Sequence, residues 1–79
     1  MTFDEVLDKA KKHFESIKSV PERFSFHVSL VLRDKSHVQL RECFVEHGPE
    51  YTTVYSKILL IPFICLTEDI VVFTSEPEV

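Results

Sequence analysis

The run ILLIPFICL, residues 58 to 66, holds nine residues with no charge and no full hydrogen-bonding side chain in a chain of 79, and Pro62 stands in its middle. Proline removes a ladder donor, so the run reads as two strands that meet at Pro62. Both parities are apolar: Ile58, Leu60, Ile64 and Leu66 on one, Leu59, Ile61, Phe63 and Cys65 on the other. Residues 70 to 73 repeat the pattern, with Ile70 and Val72 against Val71 and Phe73. Strands of this kind need cover on two faces.

The sequence offers little to cover them with. Thr2 and Glu5 form a capping box that starts a helix, and Phe3, Leu7, Ala10, Phe14 and Ile17, with Val6 beside them, share one face at helical spacing. Pro21 disfavours helix at Val20, which puts the end near Ser19. A helix of about 17 residues is roughly 25 Å long and about 10 Å wide. A sheet of four or five strands is about 20 to 25 Å across, so the helix covers about half of one face. Either the sheet bends at Pro62 into a small barrel, or a second chain covers the outer face. Because residues 70 to 73 repeat the two-sided pattern beyond the bend, the expectation is a partner, first of all another copy of this chain in a homodimer or small ring. A different protein is the alternative. Leu59, Ile61, Phe63, Val71 and Phe73 are the expected interface.

The remaining strands follow from alternation. FSFHVSLVLR, residues 24 to 33, places Phe24, Phe26, Val28, Leu30 and Leu32 on one face and Ser25, His27, Ser29, Val31 and Arg33 on the other. A turn at Asp34 to Ser36 leads to a second strand, and keeping the apolar faces together pairs residues whose numbers sum to 70, such as Leu30 with Leu40 and Phe26 with Phe44. That register points Glu42 at the core beside Val28, and a bulge near Glu42 is the expected repair. Gly48-Pro49 breaks the chain. A third strand over 51 to 61, FICL, a turn at 67 to 69 and IVVFTS complete the meander, and the tail 76 to 79 is expected to fray. The fold class is α+β: one domain over residues 1 to 79, its helix within 1 to 20 packed on a curled antiparallel meander of four to five strands within 24 to 75. In element order alone the layout resembles the small barrels of Sm-like RNA-binding rings and the helix-wrapping sheets of cystatin-like folds, and residue motifs of neither are present.

Charge and residue usage narrow the function. Of thirteen acids and nine bases, the net excess falls wholly after residue 48, where five acids face Lys57 alone. A chain this acidic lacks the global basic field that draws proteins to nucleic acid or anionic lipid. With Gly48 as the single glycine, a P-loop, a dinucleotide fingerprint and a Gly-bounded nucleophile elbow are absent. Two cysteines 22 residues apart in apolar strands read as reduced core thiols, and the acidic N-terminus is unlike a signal peptide; the expected location is cytoplasmic, away from membranes.

Two constellations remain. The 70-sum register sets His27 against Cys43, a pair that could lower a thiol pKa or offer two metal ligands, without a third ligand or an orienting carboxylate. Arg33, Lys35 and Arg41 with Tyr51 and Tyr55 could hold phosphates and stack bases of single-stranded RNA. The sequence points first to a non-enzymatic interaction or regulatory protein that self-associates through residues 58 to 73, without catalytic residues, metal or cofactor. A small nucleic-acid binder is the alternative.

Overall fold

A computed structural model describes residues 2 to 78, apart from the side chain of Pro21. Helix α1 spans Phe3–Ile17, where the Thr2 hydroxyl accepts from the N–H of Glu5 at 3.3 Å and acidic Asp4 and Glu5 occupy the first turn. It ends two residues before Ser19, and a short 3-10 turn, Pro21–Arg23, carries the chain to the sheet.

Five strands follow: β1 Phe26–Leu32, β2 His37–His47, β3 Tyr51–Ser56, β4 Phe63–Leu66 and β5 Ile70–Pro77. Every neighbouring pair is antiparallel and the order is β4-β3-β2-β1-β5. The sheet is open, with β4 and β5 as its edges, yet a single 3-10 turn, Thr67–Asp69, joins those edges. Three residues cannot cross a flat five-stranded sheet, so the sheet must curl. Long β2 is where it bends. Its first part pairs with β1 and its last part with β3, and between Phe26↔Cys43 and Val28↔Leu40 it carries one extra residue. That bulge includes Glu42, at φ 51° in the left-handed region.

The curl makes two cores on the two faces. On the helix face Ala10, Phe14 and Ile17 bury Phe24 and Tyr55, with Phe44 and Ile64 at the margin. Tyr55 is the hub of this cluster, 5.7 Å from the Phe14 ring, 5.4 Å from His13 and stacked at 5.9 Å on Phe44. On the opposite, inner face Val28, Leu30, Leu40, Cys43 and Val54 form a second cluster, joined by Leu59, Phe63 and Ile70. The halves of the curled sheet therefore cover each other, and the helix is needed on one side only.

Several expectations change. From Val28 to Val31 the observed β1–β2 pairs sum to 68, not 70, and beyond the bulge Phe26↔Cys43 sums to 69. The reason is a tighter loop: Leu32 closes on Ser36, and Arg33-Asp34-Lys35 make a three-residue turn with Lys35 at φ 71°. A slip of two preserves the faces, so Val28 meets Leu40 and no charge enters the core. The third strand stops at Ser56, not residue 61, because the Ser56 hydroxyl donates to Arg41 O at 2.7 Å and Leu59 N–H turns back to Ser56 O. The tail is ordered through Glu78, whose N–H donates to Ser25 O at 2.8 Å and whose carboxylate accepts from Glu42 N–H at 3.2 Å. Val79 lies outside the described residues.

Candidate functional site

Two-sided burial falls on β3, where Thr52 to Ser56 are all buried. It does not fall on the apolar run. Leu60 is 95% exposed, and Ile58 and Ile61 also face solvent, while Leu59 and Phe63 pack against the inner core and Pro62 between them in the run is buried. β5 is exposed beyond Ile70: Val71 is 64%, Val72 48% and Phe73 38% accessible. Of the five residues expected at an interface, Ile61, Val71 and Phe73 are thus exposed and Leu59 and Phe63 half-buried in the chain itself.

The backbone sharpens this surface. β5, eight residues long, pairs with β1 on one side only, so the N–H and C=O groups of its alternate residues face the other side unpaired. Its protections lie at the ends: a register shift beside Val71, then Glu76 and Pro77. The middle, Val72 to Ser75, carries no charge. Ile58 borders the same shallow depression as Pro77 and Glu78, which brings the exposed loop next to the end of β5.

The turn joining the two edge strands is held from both sides. Thr67 Oγ1 donates to Gly48 O at 2.7 Å, so the Thr52 hydroxyl must donate to Thr67 Oγ1 at 2.8 Å, and His47 Nδ1 must donate to Thr52 at 3.2 Å. Thr67 N–H adds a bond to Glu50 O at 2.9 Å. From the other hairpin, Arg33 N–H donates to Asp69 O at 2.7 Å and its guanidinium to Glu68 O at 2.8 Å. The His47 ring lies 6.0 Å from Phe73 across the inner face. These contacts fix where β5 leaves the turn and so fix the free edge.

The other candidates are dispersed. Arg33 serves the turn, Lys35 occupies the hairpin tip, and Arg41 is exposed at the bulge beside Glu42, Glu76 and Glu78. Tyr55 is only 1% exposed, and Tyr51 lies under Phe3 at 6.2 Å on the helix face. The structure therefore does not gather the three cations and two tyrosines into one surface. His27 and Cys43 are not paired either: Cys43 faces Phe26, and its thiol is buried in the inner core, donating to Arg41 O at 3.3 Å. Burial raises the Cys43 thiol above its ordinary 9.0, and burial with the Asp69 charge does the same for Cys65. Neither is an activated nucleophile.

Among the described residues no cluster of three or more His, Cys, Asp or Glu is arranged to hold a metal ion, and no helix is long and apolar enough to cross a membrane. A cleft of about 510 Å³ opens between α1 and the β2–β3 hairpin, a site the sequence did not single out because helix and hairpin meet only in the fold. Comparison with known families, curated proteins and solved structures finds no match to this chain.

Proposed function

We propose that the chain is a small non-enzymatic interaction or regulatory protein that self-associates through β5 and the apolar loop beside it, within residues 58 to 73. The observation that carries this reading is the free side of the eight-residue strand β5, where alternate residues leave backbone groups unpaired beside exposed Val71, Val72 and Phe73, without a charge before Glu76. Chains that stay monomeric blunt such edges with lysines, prolines or bulges along the strand, whereas here the devices stand only at its ends. Two β5 edges pairing about a twofold axis give a closed dimer; β5 pairing with the shorter β4 edge of the next copy gives a ring.

Light scattering on a sizing column tests it. The reading expects at least twice the 9.2 kDa chain mass, little changed by salt because the contact is apolar. Val72→Lys, which places a charge on the exposed edge, is expected to return the mass to 9.2 kDa. A 9.2 kDa species at every concentration would reject self-association.

A further inference from the structure

We infer that the free edge of β5 takes up an extended segment of another protein, antiparallel to β5, in which lysines or arginines precede a β-branched apolar stretch. The assignment rests on the reading of β5 as a docking edge and not on self-association. A second copy is the occupant this segment displaces.

The ladder fixes which backbone groups are free. Arg33 N–H donates to Asp69 O at 2.7 Å and Glu78 N–H to Ser25 O at 2.8 Å, whereas Leu32 N–H turns the other way, to Ser36 O. Odd-numbered residues of β1 therefore face β5. Their partners His27↔Glu76, Ser29↔Thr74 and Val31↔Val72 make Val72, Thr74 and Glu76 the residues of β5 that bond to β1. Phe73 and Ser75 thus present both N–H and C=O outward, and Pro77, at the next such position, has no N–H to leave unpaired. An added strand meets these groups beside exposed Val71, Val72 and Phe73, which β-branched side chains can cover.

Charge sets the polarity of that strand. Past Ser75, the carboxylates of Glu42, Glu76 and Glu78 border one depression with Arg41 and His27, a negative balance whether or not His27 is protonated. None of the three is in an ion pair among the described residues. At the other end Arg33 lies 3.9 Å from Asp69 and offsets one of the two acids there. An antiparallel strand brings its N-terminal residues to the Glu76 end, so cations that precede its apolar stretch reach the unpaired carboxylates. A second copy in the same orientation brings Glu68 and Asp69 with Arg33, and no net positive charge.

The test is a titration of the dilute, isotopically labelled full chain with the peptide acetyl-KKVTVTV-amide, followed by amide NMR, beside acetyl-VTVTVKK-amide and acetyl-EEVTVTV-amide. The first is expected to shift the Phe73 and Ser75 amides with a Kd of about 1 mM or tighter, about threefold below the reversed peptide and about tenfold below the acidic one. Added salt should weaken it. Glu76→Gln is expected to weaken it about threefold, and the same spectra report whether the variant is folded. Light scattering separates this assignment from self-association. A chain that is 9.2 kDa alone and still binds KKVTVTV would reject self-association and uphold the assignment. No saturable shift at Phe73 and Ser75, equal binding of EEVTVTV or VTVTVKK, or a dimer that keeps its mass in a large excess of KKVTVTV would overturn it.

Discussion

β3 and β5 are built from much the same residues, YTTVYS and IVVFTS, and they end in opposite environments. β3, the less apolar of the two, is buried on both faces from Thr52 to Ser56, with α1 over Tyr55 and the far half of the sheet over Val54. β5 is exposed beyond Ile70. Place in the topology decides this rather than hydropathy: β3 lies inside the sheet beneath the helix, whereas β5 is an edge that the single helix does not reach. A more apolar strand left uncovered at an edge is what a second copy would cover.

The largest way to break the comparison is to remove the hub of the covered half. Tyr55→Ala is expected to destabilise by about 3 to 5 kcal/mol in urea unfolding, as large aromatic truncations in cores do. That is a large part of the roughly 4 to 12 kcal/mol a chain of this size has in all. Phe73→Ala, in dilute protein, is expected to lose less, about 1 to 2 kcal/mol, because the residue is 38% accessible in the single chain.

Alkali should act on the same half. Burial, reinforced by the Glu46 charge, pushes the Tyr55 phenol above its ordinary 10.0, and burial raises the Cys43 thiol above 9.0. Both are neutral acids when folded and ionise at lower pH when unfolded. Their stabilisation is therefore complete below about pH 8 and is lost as pH climbs above 9 and 10. Thermal melts are expected to fall over that range, and the fall is expected to be smaller in Tyr55→Phe, which removes the phenol.

Much of the covered half was legible in the sequence. The Thr2 cap, the helix stripe at Ala10, Phe14 and Ile17 and the bulge at Glu42 follow from local chemistry, because each is fixed by near neighbours. The even-numbered alternation holds at Val28 and Leu30 but not along its expected length: Phe24 packs on the helix face instead and Phe26 is 37% exposed. The strand register was missed by two because Lys35 takes a left-handed conformation that its residue type does not announce. Lys35→Gly is expected to stabilise the hairpin by about 0.5 to 1 kcal/mol. Placement of the exposed surface was less legible. Ile58 to Leu66 is the most apolar run, but Ser56 ends its strand early and leaves Leu60 on an open loop, a matter of side-chain to backbone bonding that periodicity does not register. Leu60→Ser should change monomer stability by no more than about 0.5 kcal/mol. The cleft between α1 and the β2–β3 hairpin had no sequence signal, since it requires α1 to lie over that hairpin.

The most direct measurement of the contrast is amide hydrogen exchange, residue by residue, as a function of protein concentration. Amides of β3 should exchange slowly and equally at all concentrations. Those of β5 that point away from β1 should exchange fast in dilute protein and become protected as concentration rises, and Val72→Lys should abolish that protection. Exchange in β5 that is fast and independent of concentration would contradict the claim that this edge is where the chain meets its own copy.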